Sequence, residues 1–304
     1  MKRDIISMLD MREDVFDILA LSQQLKQNKF SHLNALPGRT LAMIFEKSST
    51  RTRVSFEAGM TQLGGHALYL SPKELQMGRG ETIGDTARVL SRYCDCIMYR
   101  AYRHDMMVDL AKNATVPVIN ALDDQEHPCQ VMADLLTIKE HKGIFHGLKC
   151  AYVGDGNNVC NSLMLGAAMV GMDFVAGCPK GYQPEAEIAS KAKDIAKNED
   201  CTVTVTSSPT EAAENADILY TDVWVSMGQE DESAKREEIL KPYQINSALL
   251  SRAKKDCMVM HCLPAHRELE ITGEVIDGPR SVVFDQAENR MHVQKAILLK
   301  VIGH

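Results

Sequence analysis

The chain has 304 residues, of which 45% are hydrophobic and 25% charged, and its formal net charge is −7. These values are typical of a globular protein of two domains, and they argue against a nucleic-acid or membrane partner. No apolar run approaches the ~20 residues of a membrane span, and the amino terminus lacks the apolar core of a signal peptide, so we expect a cytoplasmic protein. Nine cysteines without a Cys-x-x-Cys pair indicate mostly buried thiols rather than a disulfide framework.

Strands and helices alternate along the first half of the sequence. After an amphipathic opening helix over 4–29, the apolar spacing predicts strands at 41–45, 66–70, 96–100 and 116–122, and helices at 53–63, 81–93, 104–113 and 128–140. Such alternation favours a parallel sheet that is covered on both faces. The sequence His141-Lys142-Gly143 marks the expected end of this first domain.

A second alternating series follows. Its predicted strands lie at 149–154, 173–177, 202–206, 218–223 and 258–262, and its predicted helices at 157–170, 185–197 and 287–302. A charged helical stretch, interrupted by Pro242, precedes the last strand. The fold class is therefore α/β, with two parallel-sheet, Rossmann-like domains.

The stretch from Phe45 to Glu57 carries the densest group of polar side chains beside a predicted strand end. It joins a strand to a helix, where unpaired N–H groups and the helix dipole favour an anion. Hydroxyl groups and two guanidinium groups, those of Arg51 and Arg53, would add to a phosphate cradle there. The alternative is an ordinary Ser/Thr helix cap with solvated arginines.

Read from Phe45 to Thr52 with one shift of spacing, this segment resembles the phosphate-binding motif of the aspartate and ornithine carbamoyltransferases. The resemblance implies two Rossmann-like domains that flank an active-site cleft. Residues 1–140 would bind carbamoyl phosphate, 141–285 would bind ornithine, and 286–304 would form a helix that returns to the first domain. The phosphate would be held by Ser49, Thr50, Arg51 and Thr52.

The sequence His127-Pro128-Cys129-Gln130 lies where a predicted helix begins. Alone it fits a capping turn with a buried cysteine equally well. It resembles the family's carbamoyl-binding motif, which implies that all four residues contact carbamoyl phosphate. An imidazole N–H can donate to the carbonyl oxygen, and the Gln130 amide suits the carbamoyl –NH2 group.

Asp222-Val223-Trp224-Val225-Ser226-Met227-Gly228 follows the end of a predicted strand. A strand that ends in a glycine-containing turn is the plain alternative. The segment resembles the substrate loop of the ornithine-type members, which implies that Asp222, Ser226 and Met227 bind ornithine. A carboxylate at residue 222 suits an ammonium group and would repel the extra carboxylate of aspartate.

Gly154-Asp155-Gly156-Asn157-Asn158 joins a strand to a helix, as a dinucleotide fingerprint would. The third glycine of that fingerprint is missing, so an NAD-dependent dehydrogenase is disfavoured. In the carbamoyltransferases the same turn presents an asparagine to the amino-acid substrate. Asn158 is the better match for that role, and Asn157 is expected to hold the turn.

His261-Cys262-Leu263-Pro264-Ala265 ends the last predicted strand. Cys262 could be a core thiol or, with His127, Cys129 and His261, imitate a zinc site, but the spacings fit no common zinc pattern. The five residues match the ornithine-type motif whose cysteine is catalytic. That match implies that Cys262 and Leu263 contact carbamoyl phosphate and that the thiolate handles the proton of the attacking amine.

Three further residues match the family individually. Arg100 and Arg290 match arginines that contact carbamoyl phosphate, and Arg100 joins Cys262 and His127 as a catalytic candidate. Gln76 matches a residue that reaches the site of a neighbouring subunit. Some members carry a lysine where Gly80 stands, so the contacts of the loop from 76 to 80 stay open.

The resemblance as a whole implies transfer of a carbamoyl group from carbamoyl phosphate to the δ-amine of L-ornithine. The products would be L-citrulline and phosphate, in arginine biosynthesis or, in reverse, in catabolism. The runner-up is a carbamoyltransferase for another amine, such as putrescine or an acylated ornithine, and a non-catalytic protein that keeps the fold is a third hypothesis. No cofactor and no metal are expected, and the assembly should be a homotrimer or a multiple of trimers.

Overall fold

The computed structural model of the chain describes residues 2–28, 32–71, 75–77, 80–225 and 230–303. The chain divides into two compact units. Unit 1 comprises Met1–Leu136 with Glu288–His304, and unit 2 comprises Thr137–Ala287. The predicted domain limits, after residues 140 and 285, fall within a few residues of this division and stay predictions as limits of domains.

Unit 1 is built on four parallel strands in the order β2-β1-β3-β4. The strands are β1 (Thr40–Phe45), β2 (His66–Leu70), β3 (Cys96–Arg100) and β4 (Val118–Leu122). The helices, after a 3-10 turn at Met8–Asp14, are α1 (Val15–Gln27), α2 (Thr50–Gln62), α3 (Ile83–Leu90), α4 (His104–Asn113) and α5 (Pro128–Lys142). From β1 the chain continues to β2 on one side of it and then crosses to β3 on the other side. Ligands in such sheets bind where the strand order changes direction, which here is between β1 and β3.

Unit 2 has five parallel strands in the order β7-β6-β5-β8-β9. They are β5 (Lys149–Val153), β6 (Asp173–Gly177), β7 (Val203–Thr206), β8 (Ile218–Thr221) and β9 (Met258–His261). Its helices are α6 (Asn158–Met169), α7 (Ala186–Asn198), α8 (Pro209–Ala213), α9 (Ser233–Leu240), α10 (Ser247–Leu250) and α11 (Gly273–Ile276). The last helix, α12 (Val283–Ile302), begins in unit 2 and belongs to unit 1 from Glu288 onwards. The corresponding switch of direction in this sheet lies between β5 and β8.

The predicted α/β fold class with two parallel sheets is confirmed. Two helices start earlier than predicted, α2 at Thr50 and α12 at Val283, and the opening helix of 4–29 is divided into a 3-10 turn and α1. The short helices α8, α10 and α11 were not predicted, because four or five residues are too few to show a helical period. None of the helices in the described part of the chain is long and apolar enough to span a membrane.

Candidate functional site

In unit 1, the polar stretch after β1 forms the first turn of α2. Ser49 caps the helix in an extended conformation, and its Oγ accepts a hydrogen bond from the N–H of Thr52 at 3.2 Å. Thr50, Arg51 and Thr52 occupy the first turn, where backbone N–H groups lack helical partners and the helix dipole is positive. This turn carries no acidic residue, so it is suited to an anion.

The two arginines of this turn face different environments. Arg53 is exposed, pairs with Glu57 at 3.4 Å and stacks on the ring of Tyr69 at 3.9 Å. Arg51 is partly buried, and no carboxylate of the described residues forms an ion pair with it. A partly buried cation without a counter-ion favours an anionic ligand, so the cradle expected from both arginines reduces to Arg51.

Arg290 of α12 joins α2 to α5. Its guanidinium donates to Thr52 Oγ1 at 3.1 Å and to Gln130 Oε1 at 2.6 Å, and all three side chains are buried. The Thr52 hydroxyl accepts this bond, so its own hydrogen can be donated to another oxygen. Three residues predicted from separate motifs are therefore brought together within unit 1.

His127 lies directly before α5 and is only 4% exposed. Burial lowers the pKa of its imidazole well below the ordinary value, and the positive charges of Arg290, Arg100 and Arg51 lower that pKa further. The ring is therefore neutral at physiological pH and keeps one N–H that can donate to a carbonyl oxygen. Arg100, at the end of β3, is buried beside it in the same unit.

The rest of the His127 motif is buried in unit 1. Pro128 is the first residue of α5, and Gln130 donates from Nε2 to Asp134 at 2.8 Å while Arg290 occupies its Oε1. The Cys129 thiol donates to the carbonyl of Asn120, and burial raises the pKa of this thiol to about 12. Cys129 is thus a neutral core thiol, and the Gln130 amide keeps its second N–H as a donor for a ligand.

The loop that carries Gln76, the predicted contact to a neighbouring subunit, is described only in part. Gln76 is exposed, and its carbonyl accepts from the N–H of Glu81 at 3.3 Å. Residues 78–79, including Arg79, lie outside the described residues. The predicted role of Gln76 at a neighbouring subunit stays a prediction.

In unit 2, Asp222 follows β8 and is the centre of a hydrogen-bonded group. Its Oδ1 accepts from the Cys262 thiol at 2.8 Å, and its Oδ2 accepts from Nδ2 of Asn157 at 2.7 Å. The carboxylate is only 6% exposed, whereas Cys262 is partly accessible. An aspartate held in this way can bind an ammonium group, and the adjacent sulfur can exchange a proton with it.

The turn after β5 supplies the two asparagines and two glycines of the sequence motif. Asn157 caps α6 through its Oδ1, as expected. It also donates a hydrogen bond to Asp222, and this contact was not predicted for either asparagine. Asn158 accepts from the N–H of Val159 at 2.9 Å. A Cβ atom at Gly156 would lie 2.3 Å from the nitrogen of Pro184, so this glycine serves chain packing rather than the approach of a pyrophosphate. Ser226 and Met227, the other predicted ornithine contacts, lie outside the described residues.

His261 fixes the backbone that carries Cys262 and Leu263. Its Nδ1 accepts from the N–H of Leu263 at 2.9 Å, so the proton is on Nε2, which lies 3.1 Å from the buried carboxylate of Glu270. Donor atoms of Asp222, His261 and Cys262 lie within 4.8 Å of one another. Both ring nitrogens of His261 are already engaged, so this group does not offer a complete set of metal ligands.

The two units match two domain descriptions. The sequence model described as "Aspartate/ornithine carbamoyltransferase, carbamoyl-P binding domain" matches residues 3–140, and the one described as "Aspartate/ornithine carbamoyltransferase, Asp/Orn binding domain" matches residues 146–301. The chain belongs to the aspartate/ornithine carbamoyltransferase family. The resemblance predicted from the sequence motifs is confirmed.

Relatives within the aspartate/ornithine carbamoyltransferase family match the chain from end to end. An ornithine carbamoyltransferase of Bacillus subtilis is 56% identical, over 99% of this chain and 94% of its own length. A protein of Thermoplasma acidophilum named "Ornithine carbamoyltransferase, catabolic" is 54% identical, over 100% and 99%. The solved ornithine carbamoyltransferase from Pyrococcus furiosus superposes with a TM-score of 0.96 at 52% identity, covering 99% of this chain and 97% of that one.

Sequence reasoning missed charged side chains that lie beside the carbamoyltransferase motifs. Lys47 lies within the first motif, where burial and then the charge of Arg100 lower the pKa of its ammonium group, so it adds positive potential near Arg100. Arg236 and Asp155 form a buried ion pair next to the Asp222 group. Lys47 could have been found by its place in the motif, whereas Arg236 lies in a charged helical stretch that carries no motif.

Proposed function

We propose that this chain transfers the carbamoyl group of carbamoyl phosphate to the δ-amine of L-ornithine, giving L-citrulline and phosphate. The observation that carries the proposal is the Asp222 carboxylate, held by the Cys262 thiol and Asn157 in unit 2. A fixed negative charge at this position selects an amino acid with an additional amine and disfavours one with an additional carboxylate. The family match and the relatives named ornithine carbamoyltransferase agree with this choice.

Carbamoyl phosphate is bound by the residues of unit 1. The first turn of α2, with Ser49, Thr50 and Arg51, holds the phosphate group through backbone N–H groups, hydroxyls and a guanidinium. The Thr52 hydroxyl, oriented as a donor by Arg290, acts on the carbonyl oxygen together with other cationic and polar groups. These donors stabilise the negative charge that develops on that oxygen in the tetrahedral intermediate.

Neutral His127 and the Arg100 cation are the other groups that act on the carbonyl oxygen. Because the imidazole is uncharged, it donates a hydrogen bond without transferring a proton to the oxygen. Collapse of the intermediate expels phosphate, which stays neutralised by Arg51. Carbamoyl phosphate is thus polarised by groups that need no reorganisation during the reaction.

The attacking amine is handled by residues of unit 2. An amine of ordinary pKa ~10 is protonated at pH 7 and attacks only after it has lost one proton. The hydrogen-bonded pair of Cys262 and Asp222 accepts that proton, and the neutral nitrogen then attacks the carbonyl carbon to form the tetrahedral intermediate. The carbon–oxygen bond to phosphate breaks when this intermediate collapses. The second amine proton passes to the leaving phosphate as the new carbon–nitrogen bond becomes that of the ureido group.

We also propose that the assembly is a homotrimer, or a multiple of trimers, in the cytoplasm. The exposed side chain of Gln76 supports the role of this residue at a neighbouring subunit. In such a ring each chain would contribute to two sites, through its own phosphate-binding residues and through Gln76.

A colorimetric ureido assay tests the proposed reaction. Carbamoyl phosphate is offered with ornithine, putrescine, N-acetylornithine and aspartate in parallel reactions. Ornithine should give citrulline, and the other three should react at less than about a hundredth of its rate, since an unpaired buried polar group disfavours each of them by several kcal/mol. Faster turnover of putrescine or acetylornithine would refute the assignment to ornithine, and no turnover of any amine would refute carbamoyl transfer.

A further inference from the structure

Arg236, on α9 of unit 2, is buried although its helix is otherwise largely solvated. Its Nε donates to the carbonyl of Trp224 at 2.7 Å, and its Nη2 forms an ion pair with Asp155. The guanidinium carbon also lies 4.9 Å from the ring centroid of Tyr182. Three contacts from three chain segments hold one side chain, which is 5% exposed.

Both polar partners of Arg236 lie next to the Asp222 group. Trp224 follows Asp222 by two residues, and Asp155 precedes Asn157, the hydrogen-bond donor to Asp222, by two residues. The guanidinium therefore connects the chain after β8 to the turn after β5. The Asp222 carboxylate, proposed above to bind the substrate amine, is positioned from both of these segments.

A buried ion pair of this kind contributes little net stability, because the desolvation of both charges offsets their attraction. Burial raises the pKa of the Asp155 carboxyl to about 6; the Arg236 charge opposes this shift, and the nearby Asp222 charge adds to it. The carboxylate is thus ionised at neutral pH against an unfavourable environment. Because the pair adds little to stability, we attribute its role to the positions that it imposes on Trp224 and on the turn after β5.

We propose that Arg236 and Asp155 are a positioning pair that fixes the segment carrying Asp222 and thereby sets the affinity for the amino-acid substrate. The proposal rests on the proposed function. Both side chains are buried and engaged with each other, so their effect on the substrate passes through the backbone of Trp224 and the turn at Asn157. Ornithine affinity therefore depends on Arg236, a residue outside every sequence motif, as well as on Asp155.

Steady-state kinetics of three variants test the pair. Arg236→Gln removes the charge and the double contact, Asp155→Asn keeps the shape of the side chain, and Lys235→Gln is the control, since Lys235 is the exposed neighbour on the same helix. The KM for ornithine should rise about tenfold or more in Arg236→Gln, as expected for loss of a charged hydrogen bond, and less in Asp155→Asn. The KM for carbamoyl phosphate should stay within about twofold of wild type, and Lys235→Gln should resemble wild type throughout.

Arg236→Lys provides a conservative comparison. A lysine keeps the charge but cannot reach the carbonyl and the carboxylate with one planar group, so its ornithine KM should lie between those of wild type and Arg236→Gln. Unchanged ornithine affinity in Arg236→Gln would overturn the proposal. An equal loss of affinity for both substrates would also overturn it, because that result indicates a general structural defect.

Fluorescence gives a second readout that needs no substrate. Trp224 is the single tryptophan of the chain and is 3% exposed, so its emission reports directly on the segment that Arg236 holds. In Arg236→Gln the emission should move to longer wavelength and become more accessible to iodide, with unchanged far-UV circular dichroism. Unchanged emission and quenching in the folded variant would overturn the positioning role.

The two readouts separate the proposals. If wild type forms no citrulline, the proposed function fails, while Trp224 fluorescence still tests whether Arg236 fixes this segment. If Arg236→Gln does not fold, Asp155→Asn carries both readouts, because it removes one charge while preserving the volume and one acceptor oxygen. Wild-type values for both readouts in folded Asp155→Asn would then overturn the proposal.

Discussion

Replacing Arg51 by alanine tests the anion site at the start of α2 most directly. Arg51 is partly buried in the first turn of the helix, and no described carboxylate is paired with it. The positive charges of Arg100 and Arg290 act on the same buried neighbour, His127. Without an anion these cations repel one another, so removing one of them should leave the stability of the ligand-free protein unchanged or slightly higher.

The expected loss of affinity follows from the contact that is removed. A hydrogen bond to a charged group contributes about 1.5–3 kcal/mol, which corresponds to roughly ten- to a hundredfold in binding. Part of this contribution is expected in the transition state, where phosphate leaves with an additional charge, so kcat should fall as well. The KM for ornithine should change by less than about twofold.

Arg53→Ala is the matched control for this experiment. It removes an arginine from the same helix two residues later, but Arg53 is exposed and already engaged with Glu57 and Tyr69. Citrulline formation is measured with carbamoyl phosphate varied at saturating ornithine, and thermal unfolding is measured with and without inorganic phosphate. Phosphate should raise the Tm of wild type and Arg53→Ala but not that of Arg51→Ala. Wild-type kinetics in Arg51→Ala, or an equal loss in Arg53→Ala, would refute the assignment of the anion site.

Three further predictions concern the substrate, acid stability and assembly. Asp222→Asn should lower kcat/KM for ornithine by about tenfold or more, since it removes the counter-charge of the attacking amine, and an unaltered kcat/KM in the ureido assay would contradict the role of this carboxylate. Burial, and after it the charge of Lys295, lowers the pKa of His292 to about 4. In the unfolded state this histidine is protonated below about pH 6.5, so the unfolded state binds its proton first as the pH falls. Between about pH 6.5 and pH 4 the free energy of unfolding should therefore fall by roughly 3 kcal/mol. His292→Leu should therefore lose less stability than wild type between pH 7 and pH 4.5 in urea titrations, and parallel losses would exclude this residue as the cause. Refolding a mixture of Arg51→Ala and Gln76→Ala chains should restore about one intact site in four if neighbours share sites in a closed ring, whereas no gain over the separate variants, with good recovery of refolded wild type, would exclude shared sites.

The alternation of strands and helices was readable because buried parallel strands are short apolar runs and their covering helices have a clear period. The limits of β2, β3 and β6 agree with the prediction residue by residue. The start of α2 was missed by three residues, since Thr50 and Arg51 are not apolar and the helix begins through the Ser49 cap. A polar first turn does not contribute to hydrophobic periodicity, although its capping residue was visible.

Side-chain direction was the part of the site that the sequence could not provide. Arg51 and Arg53 are the same residue type in the same motif, so the sequence does not distinguish them. Residues two positions apart on a helix point about 200° away from each other. Arg53 therefore faces Glu57 and solvent, whereas Arg51 faces the polar first turn. Likewise, Asn157 and Asn158 are adjacent, and only the structure shows that Asn157 binds Asp222. Arg236 was invisible because its partners are distant in sequence or belong to the backbone, which leaves no pattern of residue types.

The discontinuity of unit 1 has a consequence for the newly made protein. Arg290, which binds Thr52 and Gln130, and Lys295, which binds Gln62, lie in the segment of unit 1 that is translated only after all of unit 2. The first 136 residues emerge from a ribosome well before these partners exist, at a synthesis rate of about 5–20 residues per second. During that interval the Thr52 hydroxyl and the amide oxygens of Gln62 and Gln130 lack the cationic partners that they have in the folded unit. A separately expressed amino-terminal half should therefore not serve as a binding module.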